Sequence, residues 1–314
     1  MTDQVAMLRL NLIRLNRSKQ ILQKEMERCK LKRRFWPIIA IVPLTLAACG
    51  ESESQSSSDK EIELTYVAWD SELASNYVIK EALEQAGYDV TLTVVEQAIM
   101  WQSVADGSVD GHVAGWLPDD MKADYERYQD EIVDLGANLE GARTGLAVPT
   151  YMEVTSIEEL NADIVAEITG IDAGAGIAIA TEEVIDAYDL DIEQTLSTDA
   201  FMTQQLRNAY ENEEPIVVTA WEPHWKFNSF DLRFLDDPQG IYAEEGEIRT
   251  IVREGLEEED PDAFRILDQF YWTADDMNEV MLLIAEEGMD PEDAAKQWVE
   301  ENQEKVSEWL EGVE

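Results

Sequence analysis

Two α/β lobes, each a mainly parallel sheet flanked by helices, followed by a helical tail, are the architecture this sequence predicts. Three observations carry it. Strand-like and helix-like runs alternate through the middle of the chain, 314 residues exceed what one hydrophobic core usually organises, and residues 260–313 show helical periodicity throughout.

Taken in order, residues 1–48 read as an export signal. Lys30, Lys32, Arg33 and Arg34 form a basic region, and residues 35–46 form an apolar stretch, interrupted by Pro37 and Pro43, that is too short to span a bilayer. Residues 1–25 would make an unusually long stretch of mixed charge ahead of it, so Met26 is a candidate for the true start. The stretch closes in Leu46-Ala47-Ala48-Cys49-Gly50, which resembles the lipobox of bacterial lipoproteins. That resemblance implies cleavage before Cys49, acylation of its thiol, and attachment to the extracytoplasmic face of the cell membrane by acyl chains. With Cys29 discarded and Cys49 acylated, the mature chain keeps no thiol for a disulfide or a metal site.

Residues 49–60 comprise that cysteine and a small, polar, Ser-rich tether. Residues 61–148 are expected to form the first lobe: a strand at 64–68, a helix at 71–85 stopped by Gly87, a strand at 90–95, a helix at 100–105, and strands at 111–115 and 144–148. Residues 149–248 form the second. Ser156 and Glu159 have the spacing of a helix-opening capping box, followed by a strand at 170–172, helices at 181–188 and 200–211, and a strand at 216–220. The chain is expected to cross between lobes near Val148 and again within 241–253. Residues 249–314 form the helical tail, which should return to the first lobe; Phe264, Leu267, Phe270, Met277, Val280, Met281 and Ile284 recur on its apolar faces.

The formal net charge is −45, and ten of the 23 Lys and Arg residues precede Cys49, so the exported part is a polyanion. Phosphate-directed binding of nucleic acid is excluded by that charge. Self-repulsion of this size must be screened by salt, which suits a saline exterior.

Three of the expected strands end in tryptophan: Val67-Ala68-Trp69-Asp70, Val113-Ala114-Gly115-Trp116-Leu117-Pro118 and Val217-Val218-Thr219-Ala220-Trp221-Glu222-Pro223. Ligands of open parallel sheets bind beyond the carboxyl ends of the strands, where these indoles would project. Converging π faces attract a quaternary ammonium, whose charge is spread over methyl groups and finds no directional acceptor. Each Trp taken singly would also suit a core. Residues 171–177, Ile-Asp-Ala-Gly-Ala-Gly-Ile, take a strand through a Gly-rich turn into a helix, where exposed amides could hold a carboxylate without an arginine. A tight βα turn alone would give the same pattern. The turn is too short for a dinucleotide fingerprint and lacks the lysine of a P-loop.

On Ala68-Trp69-Asp70-Ser71-Glu72, Met100-Trp101-Gln102-Ser103, Ala114-Gly115-Trp116-Leu117-Pro118, the 171–177 turn and Trp221-Glu222-Pro223-His224-Trp225, the chain resembles the glycine betaine-binding lipoproteins of osmoprotectant ABC importers, from about Leu64 to Trp309. The resemblance implies a two-lobed periplasmic-binding-protein-like fold with the ligand in the interlobe cleft. It implies a cage of Trp69, Trp116 and Trp221 for the quaternary ammonium, amides of Gly176 and Ile177 for the carboxylate, and ABC permease and ATPase subunits as partners. Choline, carnitine or ectoine as ligand, or a sensory role on the same fold, remain alternatives. Members of the family often carry Pro at the position of Ala173, Thr at Glu222 and His at Met121, and the last difference bears on ligand range. Trp101, His224 and Trp225 are expected to support the site by packing.

No enzyme, cofactor or metal site is expected. His112 and His224 are the only histidines, and no Cys/His pairing, zinc-ligand spacing or Gly-x-Ser-x-Gly elbow is present.

Overall fold

The computed structural model describes residues 60–118, 120–242 and 245–313. The signal segment, Cys49 and the tether through Asp59 lie outside the described residues.

Nine strands form one ladder of the order β2-β1-β3-β9-β4-β7-β5-β6, with β8 pairing β4. They are β1 (Glu61–Tyr66), β2 (Asp89–Val94), β3 (Gly111–Leu117), β4 (Ile132–Pro149), β5 (Glu167–Thr169), β6 (Glu193–Thr195), β7 (Val217–Glu222), β8 (Leu232–Phe234) and β9 (Gly246–Arg253). Strand β1 runs parallel to β2 and β3 at one end, and β5 runs parallel to β6 and β7 at the other. The middle differs from a mainly parallel sheet, because β9 is antiparallel to both β3 and β4, and β4 is antiparallel to β7 and β8.

The 18-residue β4 joins the two ends, pairing with β9 over its first part and with β7 and β8 over its last. Its ladder slips between Asp134 and Gly136 and again between Glu140 and Ala142. Gly136 and Gly141 hold φ at +97° and +80° there, the left-handed geometry that a bulge needs and a side chain resists. The expected strand at 144–148 is therefore only the end of a much longer one.

Helix α1 (Asp70–Gln85) follows β1, α2 (Gln97–Ala105) follows β2, α3 (Lys122–Tyr128) follows β3, α4 (Gly176–Ala187) follows β5, and α5 (Asp199–Glu211) follows β6. The capping box of Ser156 and Glu159 forms, but it opens only a single 3-10 turn, Ile157–Glu159, because Leu160 is already extended. The strand expected at 170–172 lies at 167–169 instead. The helix expected from 181 starts at Gly176, directly out of the Gly-rich turn.

After the short α6 (Lys226–Ser229) and α7 (Leu256–Glu259), the tail supplies α8 (Pro261–Gln269), α9 (Ala274–Ala285), α10 (Pro291–Glu301) and α11 (Gln303–Trp309). Asp260-Pro261 and Asp290-Pro291 each put a capping carboxylate before a proline that has no amide to lose, and Thr273 with Asp276 closes a capping box. Helices α9 and α10 pack on α1, with Lys80 Nζ 2.8 Å from Glu292 Oε1. Phe270, Trp272, Trp298 and Trp309, all at most 2% exposed, interlock beneath the tail, and the Trp272 amide donates to the Asn138 carbonyl of β4 at 3.0 Å. Among the described residues no helix is long and apolar enough to cross a membrane.

Candidate functional site

Each of the three strand-end tryptophans is placed by its own local device. Beyond β1 the chain turns sharply: the Trp69 amide donates to the Val67 carbonyl at 2.8 Å, and the Val67 amide donates to Glu72 Oε2 at 2.6 Å. Trp69 is thereby the residue before α1, and its Nε1 donates to Asp172 Oδ2 at 3.0 Å, reaching the turn behind β5. Trp116 sits near the end of β3 in register with Ile248 of β9. Trp221 sits near the end of β7 opposite Thr144 of β4, with its Nε1 3.3 Å from Ser71 Oγ at the start of α1. Residues far apart in sequence are thus pinned by polar contacts from both ends of the sheet.

The three indoles, each 5–6% exposed, line one narrow cavity of about 20 Å³. Ser71, Asp120, Thr144, Ile171 and Ile177 complete its wall. No lysine or arginine lines it, so a cation entering here meets aromatic faces and one carboxylate rather than a competing positive charge.

Ile177 lies in the first turn of α4 and lines this cavity; Gly176 lies directly beside it. Both amides already face protein acceptors. Gly176 N–H donates to Gln97 Oε1 at 3.1 Å, and the Ile177 amide faces the Asp120 carboxylate and favours its charged form. A β-carbon at position 176 would lie 1.8 Å from the Asp120 carbonyl oxygen, so only glycine allows the 120 segment to press this closely on the helix start.

Asp120, Ser71 and Gln97 were not singled out by sequence. Asp120 is one acid among 68, and its neighbour Met121 attracted attention as the departure from the family pattern. Met121 is instead fully buried with its sulfur 3.4 Å from Trp101 Nε1, and it does not line the cavity. Burial drives the Asp120 carboxyl up to about 7; nearby Asp124 adds to this and the Ile177 amide opposes it. Glu72, buried at the start of α1, is held well above the usual carboxylate range, first by burial and then by Asp120, against the Val67 amide.

Behind Trp221 lies a second buried group that sequence did not announce. Lys226 is fully buried, its Nζ has no hydrogen-bond partner, and that nitrogen is 3.7 Å from the centroid of the Trp221 ring. Burial lowers its pKa to about 8 against the pull of Asp199 and Asp70. The His224 imidazole, also fully buried, lies 3.6 Å from Asp199 Oδ1 and 3.9 Å from Asp70 Oδ2. Burial and Lys226 bring its pKa down to about 4, so it is neutral near pH 7. Asp70 is pushed up to about 6 by burial and by Asp199, although Trp225 Nε1 donates to it. Burial pushes Asp199 up too, but its His224 and Lys226 neighbours outweigh that and hold it low. Asp70, Asp199 and His224 offer ligand atoms within 4.8 Å of one another, yet the Lys226 ammonium already supplies the positive charge and each of the three accepts a hydrogen bond from a protein donor. Trp101, His224 and Trp225 do not line the cavity.

Three indoles at strand ends line one pocket beside a helix start, the arrangement of a small-molecule binding protein. Residues 60–301 match the family described as the substrate binding domain of ABC-type glycine betaine transport system, and the chain belongs to that family. It is 52% identical over 161 residues to the glycine betaine/carnitine transport binding protein GbuC of Listeria monocytogenes. That alignment covers 50% of this chain, which thus spans about half the length of this curated relative, 53%. Among solved structures it resembles lactococcal OpuAC in its closed-liganded conformation complexed with glycine betaine, with a TM-score of 0.78 and 43% identity over 81% of this chain and all of the other. The glycine/betaine/L-proline-binding protein ProX of Borrelia burgdorferi follows, with a TM-score of 0.77 and 36% identity over 81% of this chain and 97% of that one.

Proposed function

We propose that this chain is the extracytoplasmic substrate-binding component of an ABC importer that captures glycine betaine, or a close quaternary-ammonium solute, and hands it to a permease and ATPase. The single observation that carries this is the cavity shared by Trp69, Trp116 and Trp221 in a chain of this family. The methylated cation sits among the three indoles, where each well-placed, desolvated ring contributes about 1–2 kcal/mol. On binding, the ligand carboxylate displaces Gln97 Oε1 at the start of α4 and approaches the amides of Gly176 and Ile177 beside Asp120. Residues 61–148 and 149–248 act as the two lobes that close over the ligand, with the tail 249–314 riding on the first.

Titration calorimetry with glycine betaine tests the assignment. Trp69→Ala, Trp116→Ala and Trp221→Ala each weaken binding about tenfold or more, and the corresponding Phe variants lose less because a smaller π face remains. Trp309, buried in the tail, serves as the control whose replacement lowers stability and leaves affinity near the parental value. Parental affinity in all three cage variants would make these indoles core residues and remove the assigned pocket.

The lipobox-like sequence at Cys49 supports an acyl anchor on the outer face of the cell membrane. In cells fed a labelled fatty acid, the parental chain takes up label and Cys49→Ala does not. Equal labelling of the two would refute the anchor.

A further inference from the structure

We propose that Asp120 makes capture of a zwitterionic betaine proton-linked: the ligand carboxylate enters beside the Asp120 carboxyl group, and the two share one proton. This rests on the betaine-binding reading above and adds a condition to it. Asp120 lines the same cavity as the three tryptophans. One of its oxygens, Oδ1, is shut off from solvent and without a hydrogen-bond partner, and it lies at the start of α4, whose Ile177 amide favours the charged carboxylate. The segment has little room to withdraw, since the Asp120 carbonyl is pressed against Gly176.

The groups that face Asp120 from the surrounding elements are nearly all acidic. Glu72 approaches from α1, Asp124 from α3, and the Tyr242 hydroxyl from the segment before β9. Lys122, Glu126 and Glu183 stand with it around the outer groove, so one cation faces several carboxylates. A second carboxylate brought into contact with an ionised Asp120 would meet repulsion that no arginine relieves. With Asp120 protonated, the contact becomes an O–H···O⁻ hydrogen bond, donated by Asp120 and accepted by the ligand. The balance is one proton taken from solvent for each betaine bound to the ionised protein, and none for binding to the protonated one.

The direction of the pH effect follows. In the free protein Asp120 is protonated below about pH 7, and there the ligand binds without proton uptake. As pH rises past that value, each bound betaine must recruit a proton, and the dissociation constant climbs toward a limit of about tenfold per pH unit.

Calorimetric titration of the purified protein with glycine betaine, from about pH 6 to about pH 9 in buffers of differing ionisation heat, tests this. The expected result is a dissociation constant rising across the upper part of that range, with about one proton taken up per ligand, and loss of both effects in Asp120→Asn. Retention of the pH dependence by Asp120→Asn, or a flat profile in the parent, would overturn the inference and leave betaine binding intact. Choline, which has a hydroxyl instead of a carboxylate, is the comparison ligand. Choline binding that outcompetes betaine and tightens with pH would also overturn it, making Asp120 an acceptor for a cationic alcohol. Absence of betaine binding by either protein at every pH would refute the functional reading and the inference together.

Discussion

Lys226→Met is expected to lower the unfolding free energy by about 3–5 kcal/mol. The ammonium is fully buried and lies close enough to Asp199 and Asp70 to be held charged by them. Methionine fills similar space, but it leaves two carboxylates behind Trp221 without their cation, one of them only 1% exposed. Asp199, held low by its neighbours, then has either to stay ionised in a dry site or to take up a proton. The pH signature separates this from simple packing loss. Lys226 has a folded-state pKa near 8, below its ordinary 10.5, so the folded protein sheds that proton first. Its contribution to stability is constant below about pH 8 and rises between 8 and 10.5, and this rise disappears in Lys226→Met. Urea unfolding of the single variants and of Lys226→Met with Asp199→Asn measures the coupling. If Lys226→Met costs nothing, or if adding Asp199→Asn recovers none of the loss, the cluster is not an ion network.

Gly176→Ala should weaken betaine binding about a hundredfold while leaving the fold in place. The methyl group would lie 1.8 Å from the Asp120 carbonyl oxygen and 2.6 Å from its carbonyl carbon. Both are backbone atoms that no rotamer change can move, so either the 120 segment or the start of α4 must shift by about 1 Å or more. Either movement takes the Ile177 amide and Asp120 out of register with the tryptophans. Gly174 provides the matched control in the same turn, because a β-carbon there meets nothing within 4 Å, and Gly174→Ala should bind as the parent does. Calorimetry on both variants, after circular dichroism has shown native secondary structure, gives the answer. Equal affinities for Gly176→Ala and the parent would mean that the turn is a connector and not part of the site.

The strand-end tryptophans that share the pocket were legible because their signal is local: three apolar runs, each closing on a tryptophan, put indoles at strand ends wherever those strands came to lie. The helical tail was legible for the same reason, since the apolar periodicity of residues 260–313 is local to each helix. What could not be read depends on partners distant in sequence. Residues 132–143 look like a loop, since Gly136, Asn138 and Gly141 are poor strand formers, yet they become a strand because β9 arrives more than a hundred residues later to pair with them. Lys226 in Lys-Phe-Asn-Ser resembles an ordinary surface lysine, and Asp120 an ordinary surface acid. Only the approach of Asp199, at the start of α5, to Lys226, and of α4 to the 120 segment, gives those charges their altered chemistry.

The last strand to be made stands in the middle of the sheet. Because β9 pairs with both β3 and β4, a growing chain that has not yet reached Arg253 holds two unfinished ladders, each with a bare row of amides and carbonyls open to a wrong partner. Translation and export therefore run ahead of folding at the sheet's centre, and no single break along the polypeptide divides the described strands into halves that could each complete their own hydrogen bonding. Evolution of the two halves is bound by the same constraint: neither is a module that could be shuffled onto another protein without taking β9, and with it the route to the tail, along.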